Sequence, residues 1–176
     1  MSDTHPLKSI LEAILFAADE PLSADRLAAA AGEDVTVGLV REAVAALLQD
    51  YDTSGRAFTI EEIAGGFQLF TRPEYNKYLK KVFRARHEAR YTQAALETLA
   101  IVAYKQPISR AEIEDIRGVA AGDMVRTLME KGLVRIAGRS EKLGHPLLYG
   151  TTKKFLQVFG LSSVKDLPDS KQLVEP

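Results

Sequence analysis

The sequence predicts a mainly α chain with small β-hairpins (α+β), organised as two winged helix-turn-helix domains in tandem. Two observations carry this expectation. Pro21, Leu22, Ser23, Leu27 and Gly32 match Pro107, Ile108, Ser109, Ile113 and Gly118 at a constant offset of 86 residues. Each half then runs in the same order, from helix-spaced apolar residues to two short apolar strands and a closing helix. Three helices, a hairpin and a trailing helix are the order of a winged helix. A length of 176 residues suits two small domains.

The first half opens with Leu7, Ile10, Leu11, Ile14 and Leu15, the three-and-four spacing of an amphipathic helix. Pro21 ends that pattern and Ser23 is placed to cap a second helix, with Leu22 and Leu27 as a hydrophobic staple. Gly32 stops this helix. A third, Thr36 to Asp50, carries Val37, Val40, Val44, Leu47 and Leu48. Phe58 to Ala64 and Phe67 to Thr71 flank Gly65-Gly66, which we read as the tip of a tight hairpin because a type I′ turn needs two residues at positive φ. Tyr75, Tyr78, Leu79 and Val82 then mark a short helix after Pro73.

Phe83 to Arg90 breaks the pattern with five ionisable side chains and marks the boundary between domains 1–86 and 91–161. In the second half, Leu96, Leu99, Ala100 and Ala103 form a helix ended near Pro107. Ser109 and Glu112 have the spacing of a capping box, with Ile108 and Ile113 as its staple. Gly118 stops that helix, and Val125, Leu128 and Met129 lie on the next, which ends before Gly132. Leu133 to Ile136 and Leu147 to Tyr149 read as strands around a loop from Ser140 to Pro146. Phe155, Leu156 and Phe159 close the domain before Gly160. Residues 162–176 read as a tail, anchored in part and then disordered.

Composition excludes several classes. With 23 basic against 24 acidic side chains, the protein is no histone-like wrapper. Residues 1–88 carry 10 basic and 14 acidic groups, and residues 89–176 carry 13 and 10, so the halves differ in sign. The absence of cysteine rules out disulfides, thiolate nucleophiles and zinc-finger ligation. The longest apolar runs, Ala13 to Ala18 and Leu99 to Tyr104, fall far short of the ~20 residues a membrane span needs. No secretory signal is visible, so a cytoplasmic location is expected.

Catalytic chemistry finds no constellation. His5, His87 and His145 are scattered, and Glu61 and Glu62 fall on opposite faces of a strand. Gly118 to Asp123 lacks the Lys-Ser/Thr of a phosphate loop. We therefore expect no enzyme, no cofactor and no metal.

A winged helix commonly offers its third helix to DNA. In the first half that helix holds Arg41 against Glu42 and Asp50, and the hairpin adds Glu61 and Glu62. Such a surface repels phosphate; Val37, Leu39 and Ala43 suit contact with another protein or the domain's own core. The second half is mixed: Arg126, Arg139 and Lys142 are positioned for weak phosphate contact, but Glu112, Asp123, Glu130 and Glu141 are interspersed. Leu99 to Tyr104 is apolar on nearly every side, which points to a second apolar face turned to a partner.

The run from Ala94 to Val119, including Leu96-Glu97-Thr98-Leu99-Ala100-Ile101, Tyr104-Lys105-Gln106-Pro107-Ile108-Ser109-Arg110 and Ile116-Arg117-Gly118, resembles the signature of the segregation and condensation protein B family. Leu148-Tyr149-Gly150-Thr151-Thr152, Phe159-Gly160-Leu161 and Leu167-Pro168 are similar to its closing segment, and Glu12 to Ala17 with Glu20-Pro21-Leu22-Ser23 to its opening. The resemblance spans roughly residues 7 to 168. It departs at Leu143-Gly144-His145-Pro146, where relatives often carry Pro-Gly-Arg-Pro; this lowers the charge of the wing.

The resemblance implies a homodimer, formed mainly through the first domain. This dimer binds the kleisin subunit ScpA and, through kleisin, the SMC ATPase of the condensin complex, in chromosome condensation and partition. It implies a nucleoid-associated protein with no catalytic role of its own. Within that frame we assign Val37, Leu39 and Ala43 to the dimer contact and Tyr104, Arg117 and Tyr149 to the kleisin contact; the family motif specifies neither set. A winged-helix DNA-binding transcriptional regulator is the rival reading, by fold analogy alone.

Overall fold

The computed structural model describes residues 5–82 and 91–168. The boundary expected at residues 83–90 and the end of the tail, 169–176, lie outside them. The protein divides into two compact units, Met1–Arg86 and His87–Pro176.

In the first unit, α1 (Leu7–Ala17), α2 (Ala24–Ala31) and α3 (Val37–Thr53) precede the hairpin of β1 (Phe58–Ile63) and β2 (Gly66–Thr71). A 3-10 turn, Pro73–Tyr75, leads into α4 (Asn76–Val82). Local chemistry sets the helix starts: the Ser23 hydroxyl accepts from the Arg26 N–H, and Thr36 accepts from Leu39. The Gly32 N–H donates back to the Ala28 carbonyl at the end of α2. Leu11, Leu15, Leu27, Val40, Val44 and Leu47 form the core, and Tyr51 packs edge-on against Phe58 at 4.9 Å. Each fully buried aliphatic residue contributes roughly 1.5–3 kcal/mol. The Tyr51 hydroxyl donates to Glu12 over 2.9 Å; burial, and then this carboxylate, hold its phenol well above the ordinary range.

The hairpin tip differs from expectation. Ile63 pairs with Gly66, so the two turn residues are Ala64 at φ 53° and Gly65 at φ 75°. Gly66 belongs to the strand. Its reason is space: a Cβ there would meet the backbone of Leu22 at 2.8–3.0 Å.

The second unit has α5 (Gln93–Lys105), a two-residue β3 (Ile108–Ser109), α6 (Arg110–Arg117) and α7 (Gly122–Glu130). These are followed by β4 (Val134–Arg139), β5 (Leu147–Thr151), α8 (Lys153–Phe159) and a 3-10 turn at Val164–Asp166. The Ser109–Glu112 capping box is formed, and Gly118 and Gly160 end their helices in the left-handed conformation. The antiparallel sheet has the order β3-β5-β4, with a bulge between Ile136 and Gly138. β3 adds a strand to the expected hairpin. Its counterpart in the first unit is a single bridge between Leu22 and Phe67.

Most of the segment Leu99 to Tyr104 turns to the unit's own core, while Ala100 is exposed and Tyr104 is half-buried. Leu99, Val102 and Ala103 are buried and Ile101 packs on the same core, as do Leu161 and Leu167 from the closing segment of the sequence. The Tyr104 hydroxyl donates to the Pro168 carbonyl over 2.8 Å. Residues 161–168 thus supply the apolar cover that a ~70-residue domain was expected to lack.

Candidate functional site

Two surfaces draw attention, one on each unit. On the first, Val37 and Leu39 stand at the start of α3 and are 36% and 43% exposed. Ala43 does not join them: it lies in the core with Val40, Val44 and Leu47, on the face those spacings bury. Phe16, near the end of α1, is 80% exposed, and Tyr78 and Val82 are exposed on α4. Phe16 was missed because it sits in an apolar run; its position off the Leu11–Leu15 stripe was the available signal.

Four cations of the first unit are paired internally. The Arg41 guanidinium takes both Glu62 carboxylate oxygens, at 3.2 and 3.4 Å, and lies 5.4 Å from the Phe67 ring centroid. Lys8 pairs with Asp50, Arg26 with Glu20 and Arg72 with Asp52. The Asp52 hydrogen bond raises the Arg72 guanidinium further above its ordinary value.

On the second unit, the three residues assigned to a partner segment do not form one cluster. Tyr104 and Arg117 relate to one face of α5. Arg117 reaches Glu97 at 3.8 Å, and Glu97 lies seven residues before Tyr104 on that helix. The Arg117 side chain is only 10% exposed, and its Nε is buried without a hydrogen-bond partner among the described residues. Ile116 and Val119 are exposed beside it in sequence. Tyr149 instead lines a cleft of about 450 Å³ with Arg110, Asp123, Arg126, Met129 and Glu130.

The basic groups also separate. The Lys142 ammonium donates to Glu112 over 2.7 Å, so its charge is paired within the unit while the side chain stays exposed. That bond, then those from the Ser109 N–H and hydroxyl, lower the Glu112 carboxyl to about 2, and the same pairing raises Lys142. Arg139 donates to the His145 carbonyl across the wing. Arg126 stands exposed on α7 with no ion pair among the described residues. The wing is ordered by its own bonds: Ser140 N–H to Pro146, His145 N–H to Lys142, and Lys142 N–H to the Ser140 hydroxyl. It carries Leu143 fully exposed at its tip.

Among the described residues, no group of three or more His, Asp or Glu is placed to hold a metal ion. No helix there is long and apolar enough to cross a membrane.

Residues 9–170 match the family model for the segregation and condensation complex subunit ScpB. Segregation and condensation protein B of Syntrophotalea carbinolica is 46% identical over 173 residues, covering 98% of this chain and 86% of that protein. The protein of the same name from Geobacillus thermodenitrificans is 48% identical over 168 residues, covering 95% and 79%. A solved structure of a ScpB N-terminal domain dimer complexed with a ScpA peptide is 37% identical. That likeness covers 44% of this chain and 94% of the other, with a TM-score of 0.40. With a family model spanning nearly all of its length and full-length relatives at this identity, the chain belongs to the segregation and condensation protein B family.

Proposed function

We propose that the protein serves as a non-enzymatic accessory subunit of the SMC–kleisin condensin complex in the cytoplasm, at the nucleoid. It pairs as a homodimer through the first unit, binds the kleisin subunit ScpA, and reaches the SMC ATPase through kleisin. Its role is in chromosome condensation and partition during the cell cycle. One observation carries the protein-facing part of this reading. The single basic residue of α3, Arg41, is held by Glu62 and Phe67, while Val37 and Leu39 on the same helix are exposed. A helix built this way offers apolar surface and no free cation, which suits a protein and not a phosphate backbone.

We assign the dimer contact to Val37 and Leu39, with Phe16 as a further apolar candidate. Ala43 supports the helix from within. We assign the kleisin contact to two separate places on the second unit, Tyr104 with Arg117 beside α5, and Tyr149 in the cleft. Any DNA contact through Arg126 and Arg139 is weak, and Lys142 is withheld by Glu112.

Light scattering after size exclusion tests the reading, on the protein alone and with a kleisin fragment. A dimer that becomes monomeric in L39D, and a kleisin complex weakened about tenfold or more in Y104A or R117M, is the expected result. A strictly monomeric protein that ignores kleisin overturns it. Duplex DNA titrated at two salt concentrations checks the rival reading. Tight binding with a log–log slope of about −6 identifies a DNA-binding regulator instead.

A further inference from the structure

The duplication supplies an internal standard for the second unit. After Gly32 and Gly118 the register shifts by one residue, so the N-cap Thr36 corresponds to Ala121, buried Val40 to buried Val125, and Arg41 to Arg126. In the sheets, Phe67 pairs with Leu22 as Tyr149 pairs with Ile108, 86 residues after Leu22. Across the hairpin, Phe67 faces Glu62, and Tyr149 faces Ile136.

Both units thus have an arginine on the third helix and an aromatic ring on the last strand. Only the first has a carboxylate paired with the ring across the hairpin. There, Glu62 takes the Arg41 guanidinium in a bidentate pair and holds it over Phe67, which is 7% exposed. In the second unit Ile136 replaces that carboxylate and is 46% exposed. Arg126 has no ion pair among the described residues, and Tyr149 opens onto the cleft of about 450 Å³ beside it.

We propose that this cleft binds an acidic peptide segment of a protein partner, whose carboxylate takes the place on Arg126 that Glu62 takes on Arg41. An apolar neighbour in the same segment packs on Met129 and Tyr149. Arg110, whose contact to Glu114 is a long 3.8 Å, adds a second cation at the rim. Asp123 and Glu130 also line the cleft. They flank Arg126 on α7 without reaching it, and they restrict the segment to a carboxylate seated at the arginine itself. Bidentate arginine–carboxylate geometry beside an aromatic face is the chemistry recognised. This deepens the assignment of Tyr149 as a partner contact and rests on the function above only for the partner being kleisin.

The test uses the full-length, ¹⁵N-labelled protein and two synthetic peptides, acetyl-Leu-Glu-Glu-Leu-Phe-amide and its Gln-Gln counterpart. At concentrations up to about 5 mM, the acidic peptide is expected to move the amides of residues 122–130 and 147–151 and to bind about tenfold more tightly than the glutamine peptide. R126Q removes this difference. I136E supplies the missing carboxylate from within and blocks the acidic peptide, while I136Q leaves binding intact; both positions are exposed, so neither change threatens the fold. Equal binding of the two peptides, no movement of those amides, or equal binding to I136E and I136Q overturns the proposal. A kleisin fragment forms the second arm. If it binds wild type, R126Q and I136E alike, the cleft assignment falls and the function stands. If it binds none of them while the acidic peptide passes its tests, the cleft stands and the kleisin reading falls.

Discussion

Leu22 and Phe67 exchange both of their backbone hydrogen bonds, the Leu22 N–H donating over 3.0 Å and the Phe67 N–H over 2.8 Å. The pair ties the stretch between α1 and α2 to the second strand of the hairpin. Ile108 and Tyr149 make the same tie in the second unit, where it has grown into a two-residue strand. Each wing is thereby fixed to the helices by backbone hydrogen bonds and not by side-chain packing alone, and this holds the third helix and the aromatic strand residue in a repeatable relation.

Gly66 is the point at which that tie is vulnerable. A Cβ at this position would lie 2.8–3.0 Å from the carbonyl carbon, carbonyl oxygen and amide nitrogen of Leu22, none of which is a flexible side-chain end. G66A is expected to destabilise the first unit by about 1–3 kcal/mol, the usual range for overpacking. G138A, with nothing within 4 Å of its Cβ and no positive φ, is expected to stay within about 0.5 kcal/mol of wild type. Urea unfolding followed by circular dichroism measures both, and equal effects would count against the steric account.

The two buried clusters share no residue, which gives a prediction about cooperativity. Leu27 and Leu128 are each 0% exposed in their own core. L27A and L128A are each expected to cost about 2–5 kcal/mol. The loss should fall on one unit: L27A should abolish slow amide exchange in residues 7–71 while residues 95–155 keep theirs, and L128A should do the reverse. Uniform loss of protection in either variant would mean the units unfold together.

Local chemistry was readable from the sequence, and long-range closure was not. Ser23 and the Ser109–Glu112 box cap helices through neighbours three residues away, so spacing alone reveals them. Ala43 was also within reach: three residues after Val40 and four before Leu47, it belongs to the buried stripe. The enclosure of α5 was not, because it depends on Leu161, Leu167 and the Pro168 carbonyl returning from far along the sequence. Nor was the Glu112–Lys142 bond, which spans thirty residues and pairs a cation of the surface assigned to phosphate. The Arg41–Glu62–Phe67 cluster became visible only when the sheet register paired Glu62 with Phe67.

Arg117 is buried with little compensation for its charge. Its side chain is nine-tenths buried, its contact to Glu97 is a long 3.8 Å, and its Nε finds no hydrogen bond among the described residues. A buried charge with so little compensation carries a desolvation cost that an apolar side chain of similar length avoids. R117M is expected to fall within about 1 kcal/mol of wild type or to be more stable, as read from urea midpoints. A loss above about 3 kcal/mol would show the ion pair to be integral to the fold, since that is the usual cost of breaking one. Preserved stability is also what makes R117M a clean probe of kleisin binding.

Glu112 joins the start of α6 to the wing, and its titration should be visible in stability. Its Oε2 accepts from the Ser109 N–H at 2.9 Å and the Ser109 hydroxyl at 2.7 Å, while Oε1 accepts from Lys142. These bonds lower its carboxyl from 4.5 to about 2 in the folded protein. A depressed folded value means the stabilisation is complete above the unfolded value and is lost as pH falls through the folded one. The gap between wild type and E112Q should therefore be constant near neutrality, narrow below about 4.5 and close only below about 2. Lys142 is shifted the opposite way: its raised value keeps its own charge in place below its ordinary 10.5, so K142M should converge on wild type as pH rises beyond that, and again at low pH where Glu112 is protonated. Lys142 is 72% exposed, so added salt should shrink both gaps. An E112Q gap that holds unchanged between pH 7 and pH 3 would show that the carboxylate's charge contributes nothing to this junction.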